Sequence, residues 1–168
     1  YFNSIGTQVT VVEMLDHIAG ETDRDLTNLF QKDMQARGVV FELGARVTGV
    51  GEGDVRFERD GKEHTVPADK VLLSIGRRPN TRDIGLEAIG VYLERGAVVT
   101  DDHMRTNIPG VYAAGDVNGR SMLAHTAYRE AEVAVNHMLG VRDAMRYNAI
   151  PAVIYTNPEI ASVGETEA

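Results

Sequence analysis

Apolar and polar positions switch between two periods along this 168-residue chain, and the switches mark out its elements. Residues 8–13 (QVTVVE) form a short β-branched run after Gly6 and predict a buried strand. Between 23 and 37, Leu26, Leu29, Phe30 and Met34 recur at helical spacing, and Gly38 supplies the stop. Residues 39–43 predict the next strand. Strand, helix, strand with short connections is a βαβ unit, which requires a parallel sheet.

The period then falls to two. Segments 46–50, 55–59 and 63–66 alternate apolar with polar, and Asp60-Gly61 between the last two is a strong hairpin signal. A small antiparallel meander is predicted here. Residues 68–76 (ADKVLLSIG) are continuously apolar after Lys70, which predicts a strand covered on both faces. Arg77-Arg78-Pro79-Asn80-Thr81 reads as a polar linker, because Pro79 cannot continue regular pairing. Further strands are predicted at 97–100, at 110–116 (GVYAAGD, buried) and at 150–155. A long helix is predicted over 121–139. Ala124, Ala127, Ala131, Ala134, Val135 and Met138 mark a small-residue face on it, and Gly140 ends it. The first residues read as the tail of a helix and 164–168 as the start of another, so a piece of a longer protein is expected.

Composition narrows the class. Hydrophobic residues make up 43% and charged residues 25%, an ordinary globular balance. The absence of cysteine excludes disulfides, zinc–thiolate sites and thiol chemistry within this chain. Lys plus Arg number 17 against 25 for Asp plus Glu, a net charge of −8 that argues against a nucleic-acid surface. No apolar run approaches the ~20 residues of a membrane span, and the N-terminus lacks the pattern of a signal peptide. A soluble, cytoplasmic, acidic α/β protein is expected. His17, His64, His103, His125 and His137 show no paired ligand spacing, so no metal site is expected. Arg77-Arg78 reads as surface charge. No nucleophile elbow or P-loop is present.

Two acids carry candidate chemistry. Glu13 stands at the carboxyl end of the first strand of the βαβ unit, where ligands of open α/β sheets bind and an acid can accept ribose hydroxyls. A solvated strand-end carboxylate is the competing reading. Asp116 ends Ala113-Ala114-Gly115-Asp116, whose small residues admit a ligand close to the backbone. Shortly after, Met122-Leu123-Ala124-His125 opens the long helix, whose first N–H groups and macrodipole favour negative charge. An ordinary strand–loop–helix junction is the alternative there.

Two long segments carry a resemblance. Val71-Leu72-Leu73-Ser74-Ile75-Gly76-Arg77-Arg78-Pro79-Asn80, followed by residues 106–117 (TNIPGVYAAGDV), resembles the flavin-dependent pyridine nucleotide–disulfide oxidoreductases. Met122-Leu123-Ala124-His125, Val11-Val12-Glu13-Met14-Leu15 and residues 150–164 (IPAVIYTNPEIASVG) are similar to the dihydrolipoamide dehydrogenases among them; sibling disulfide reductases such as glutathione or mercuric reductases are the nearest competitors. The resemblance implies partial FAD- and NAD(P)-binding, Rossmann-like domains of α/β class, a parallel sheet plus the small antiparallel meander. It implies that 1–83 is the later part of an NAD domain, 84–147 the returning part of an FAD domain and 148–168 the start of a dimerising interface domain. It assigns Glu13 to the NAD ribose, Val47 to the adenine side and Gly76 to the strand end beside the nicotinamide. Gly115 and Asp116 would meet the ribityl chain of FAD. Met122, Leu123, Ala124 and His125 would wrap the flavin pyrimidine ring, the helix stabilising charge on its N1/O2 edge.

The same resemblance implies a parent that oxidises dihydrolipoamide through a cysteine pair and FAD and reduces NAD. That parent would be a homodimer serving a 2-oxo acid dehydrogenase or glycine cleavage system with a lipoyl protein substrate. The family's cysteine pair, glycine-rich phosphate loops and His–Glu base have no counterpart in these residues, so no catalytic residue is assigned. The chain alone is expected to be inactive, to lack stoichiometric FAD, and to self-associate through exposed edges or remain loosely ordered. A non-catalytic folding remnant is the reading from a different class.

Overall fold

A computed structural model describes residues 1–165. They form two compact units, one of Tyr1–Leu73 with Val153–Ile160 and one of Ser74–Ala152 with the residues from Ala161 onward.

The first unit contains the βαβ motif. β1 (Thr10–Val12) and β2 (Val40–Glu42) pair in parallel, with Thr10 opposite Val40 and Val12 opposite Glu42. Between them runs α1 (Arg24–Ala36). Its start is fixed by Asp23, whose side chain accepts the N–H groups of Asp25 and Leu26, two of the donors a helix leaves unpaired. At its end Gly38 takes φ 88°, Gly38 N–H donates to Gln35 C=O and Val39 N–H to Met34 C=O. That paired closure is the Schellman motif, and only glycine enters its left-handed position without strain. The helix is where the spacing placed it. Its apolar stripe is largely uncovered among the described residues: Phe30 and Met34 are half-buried, while Leu26 and Leu29 are exposed.

The meander follows as β3 (Arg46–Val50), β4 (Asp54–Arg59) and β5 (Lys62–Pro67), antiparallel in sequential order. Asp60 and Gly61 both take positive φ, 53° and 71°, the signature of a type I′ turn whose twist matches its strands. A register shift between Val47 and Gly49 interrupts the β3–β4 ladder. The buried Phe57 stacks on His64 across β4 and β5 with ring centres 5.3 Å apart. Arg59 pairs with Glu42, tying the meander to β2.

All four strands predicted downstream are shorter than expected or absent. Residues 68–76 form no strand, and Leu72 and Ile75 are 76% and 91% exposed. A run of this composition suits a central strand, but a central strand needs a neighbour on each edge, and among the described residues its one backbone partner is Gly53, whose C=O accepts the Ala68 N–H at 2.9 Å. β6 (Leu93–Glu94) and β7 (Ala97–Val98) make a two-stranded ladder only two residues long. The segment 110–116 is extended but contributes a single bridge, Tyr112 to Arg105. β8 (Ala152–Ile154) and β9 (Ile160–Ser162) form a further two-stranded sheet, shorter at its start than the 150–155 strand expected. A three-residue 3₁₀ turn, Asn3–Ile5, stands where a helix tail was expected; the helix start expected at 164–168 falls largely outside the described residues.

α2 (Ala124–Met138) starts three residues later than predicted. Its buried residues are Thr126, Glu130, Val133 and Ala134, whereas Val135 and Met138 are exposed. The alanine pattern therefore identified the helix, and of its small-residue face only Ala134 is buried. Val133 and Ala134 pack with Met104 and Met145, flanked by Tyr112, Tyr147 and Ile150, as the core of the second unit. No helix of the described residues is long and apolar enough to cross a membrane.

Candidate functional site

Each unit carries candidate residues of its own. In the first, Glu13 directly follows β1 and continues its pairing, its N–H donating to Glu42 C=O at 2.9 Å. The half-buried side chain bends back so that Oε1 accepts the Leu15 N–H at 2.9 Å. One carboxylate oxygen thus fixes the turn beyond the strand. Val47 lies on β3, opposite Phe57 and beside the register shift, with 44% of its surface exposed.

In the second unit, Gly76 takes φ 104° in the unpaired 68–80 stretch, a conformation that favours glycine. The turn around Asp116 is the most constrained feature of this unit. Gly115 adopts φ 84° and ψ −160°, a region essentially restricted to glycine. A Cβ built there would lie 3.2 Å from the Ala127 Cβ, so the turn rests against the first turns of α2. Asp116 to Asn118 then form one 3₁₀ turn, with Asn118 N–H bonded to Gly115 C=O, and the chain leaves through Gly119 at φ 69°. At Gly119 a Cβ would lie 2.8 Å from Ala97 Cβ, so this position also excludes side chains. The result is a rigid turn with Gly115 and Asn118 buried and Asp116 facing out.

The turn is held from beneath by Glu130. This fully buried carboxylate accepts the Gly115 N–H at 2.5 Å and the Asn118 side-chain amide at 2.9 Å on Oε2, and the Tyr147 hydroxyl at 2.7 Å on Oε1. Burial, followed by the adjacent Glu130, raises the Tyr147 pKa, so the phenol stays protonated and donates. The Arg120 guanidinium covers the Tyr147 ring at 3.9 Å. Glu130, Asn118 and Tyr147 were not singled out from the sequence. The available signal was its helical register with Thr126 and Val133, four residues before it and three after.

Beyond the turn, Met122 and Leu123 are half-buried and Ala124 and His125 exposed. Leu123 occupies the N-cap of α2 without a side-chain cap, so the first N–H groups of the helix stay available. The Ser121 hydroxyl bonds to Thr126 instead, at 3.0 Å. His125 Nε2–H donates to Pro151 C=O at 2.7 Å, which fixes that ring nitrogen as the donor. Met122 borders a cavity of about 410 Å3 with Pro79, Gly119 and Arg120, and His125 borders another of about 730 Å3 with Thr126 and Arg129. Both volumes are within the range of small-molecule sites. The fold thus brings Gly115, Asp116, Met122, Leu123, Ala124 and His125 into one unit and Glu13 with Val47 into the other, with Gly76 in the unit of Asp116. Among the described residues no cluster of three or more His, Cys, Asp or Glu side chains could hold a metal ion.

Residues 1–131 match the family model described as pyridine nucleotide-disulphide oxidoreductase. The chain is 40% identical over 170 residues to a dihydrolipoyl dehydrogenase of Cupriavidus necator, covering 98% of this chain and 36% of that one. It is 40% identical over 172 residues to the mitochondrial dihydrolipoyl dehydrogenase of Homo sapiens, covering 97% of this chain and 34% of that one. Among solved structures, LpdA from Mycobacterium tuberculosis superposes with TM-score 0.87 at 34% identity, over 98% of this chain and 36% of that chain. A Cu(II) complex of the HOCl-induced flavoprotein disulfide reductase RclA from Escherichia coli superposes with TM-score 0.85 at 26% identity, over 99% of this chain and 39% of that chain. The chain spans about a third of the length of the curated relatives it matches.

Proposed function

Because this chain belongs to the pyridine nucleotide-disulphide oxidoreductase family, we propose that it supplies the flavin-binding turn and part of the NAD-binding surface of a dihydrolipoyl dehydrogenase. The observation that carries this reading is the Gly115–Asp116 turn beside the uncapped start of α2. A glycine-only backbone angle turns an exposed carboxylate outward, next to free helix N–H groups. Those groups fit a ligand with hydroxyls at one end and an edge that gains negative charge at the other, which describes FAD.

In this reading Asp116 accepts a ribityl hydroxyl and Gly115 lets the cofactor approach the backbone. Met122, Leu123, Ala124 and His125 line the pyrimidine edge, and the start of α2 favours negative charge there. Glu13 accepts the ribose hydroxyls of NAD, Val47 supports the adenine and Gly76 ends the segment beside the nicotinamide. Bound FAD would carry electrons from a dithiol substrate to NAD. The cysteine pair that exchanges with dihydrolipoamide would come from outside these residues, which contain no cysteine. Residues 1–83, 84–147 and 148–168 are assigned to the NAD, FAD and interface domains respectively. The whole enzyme would act as a homodimer on the lipoyl protein of a 2-oxo acid dehydrogenase or glycine cleavage system. We assign it to the cytoplasm, although several relatives are named mitochondrial.

The similarity to RclA supports a second reading, a flavoprotein disulfide reductase of different substrate. Assaying the full-length protein for NAD reduction with dihydrolipoamide, and for NADH- or NADPH-dependent reduction of glutathione disulfide, separates the two. Dihydrolipoamide-driven NADH formation supports the first reading. Activity confined to another disulfide would replace it with the second.

A further inference from the structure

Glu130 is a fully buried carboxylate with three protein donors and no direct cation among them. Burying such a group is costly unless its acceptor capacity is used, and here it is used on one structure, the turn that presents Asp116. Two of the three donors, the Gly115 N–H and the Asn118 amide, are the two ends of that turn. The third, Tyr147, anchors the carboxylate from a segment 17 residues further along the chain. Gly115 holds a backbone conformation that costs free energy, and such conformations persist only where the surroundings over-determine them.

We propose that Glu130 is a positioning residue for the flavin: its carboxylate locks the 115–118 turn so that Asp116 is preorganised for the ribityl chain. Resting on the flavin reading above, the inference adds a residue that touches no part of the cofactor. Removing the acceptor leaves two buried donors unpaired, and the turn relaxes away from the geometry that Gly115 alone allows. Glutamine can replace the carboxylate, since its carbonyl accepts from Gly115 and Asn118 while its NH2 donates to the Tyr147 oxygen.

The test uses the full-length protein with Glu130→Met, Glu130→Gln and Asp116→Ala, reading FAD dissociation constants after reconstitution of the apoprotein, with far-UV circular dichroism and NAD affinity alongside. Glu130→Met is expected to weaken FAD about tenfold or more at unchanged secondary structure and NAD affinity, and Glu130→Gln to remain within about threefold of wild type. If Glu130→Met does not fold, Glu130→Asp takes its place, since its shorter arm cannot span the same donors; it should also weaken FAD severalfold. Wild-type FAD affinity in the Met or Asp variant, with Asp116→Ala impaired, overturns the role of Glu130 alone. Equal loss in the Gln and Met variants also overturns it. Wild-type affinity in Asp116→Ala overturns the flavin reading itself.

Discussion

Arg129 on α2 grips Asp143 at two points, Nη1 to Oδ2 at 2.9 Å and Nη2 to Oδ1 at 2.5 Å. Asn136, about two turns further along the same helix, donates to Oδ2 at 2.8 Å. The loop after Gly140 is thereby tied back to the helix it has just left. Planar guanidinium and carboxylate meet in matched geometry here, the arrangement in which an arginine is not replaceable by lysine.

These hydrogen bonds, that from Arg129 first, hold the Asp143 carboxyl down at about 2. A folded-state value below the ordinary 3.8 means the contribution is complete above about pH 4 and disappears as pH falls through about 2. Asp143→Asn is therefore expected to lower stability near pH 7, with the difference from wild type shrinking as pH drops below about 4. Denaturant midpoints at several pH values check this; a difference that stays constant into strong acid would contradict it.

Glu13 gives a cofactor prediction. A carboxylate that accepts ribose hydroxyls repels the 2′-phosphate of NADP at close range. Glu13→Ala in the full-length enzyme should weaken NAD by about tenfold or more, the scale of a lost hydrogen bond to a charged group, and narrow its preference over NADP. Titration of both dinucleotides into wild type and variant reads it. Equal use of NAD and NADP by the wild type would remove Glu13 from this role.

The unpaired apolar run makes a prediction for the chain by itself. Leu72, Leu73 and Ile75 are 76%, 69% and 91% exposed in a stretch without strand partners. Exposed apolar backbone of this kind pairs with further copies. Size-exclusion chromatography should show the 168-residue chain above monomer mass, and Leu72→Lys with Ile75→Lys should shift it toward monomer. A wild-type chain that elutes as a sharp monomer would contradict this.

What could be read in the sequence divides along a physical line. Features set by neighbours in the chain were legible. Asp23 and Gly38 bracket α1, Asp60-Gly61 makes its turn, and Gly140 closes α2 with Val141 N–H on Asn136 C=O. Features set by distant partners were not. The 68–76 run has the composition of a central strand, but composition cannot supply its neighbours. The inward face of α2 could not be read, because helical periodicity ranks Glu130 as polar and outward-facing, whereas the donors that bury it come from residues 115, 118 and 147. In the candidate site, the strand–glycine–acid pattern singles out Asp116, and nothing local singles out the Glu130 carboxylate beneath its turn.

The central claim is that the Gly115–Asp116 turn holds flavin, and flavin retention by Asp116→Ala tests it most directly. An ionised acceptor of a hydroxyl contributes about 1.5–3 kcal/mol, roughly a ten- to hundredfold change in affinity. The full-length protein and its Asp116→Ala variant would be purified, dialysed extensively and compared for bound FAD by absorbance near the flavin band. The account predicts a yellow wild type and a variant that has lost most of its FAD. Equal flavin content in the two would contradict it.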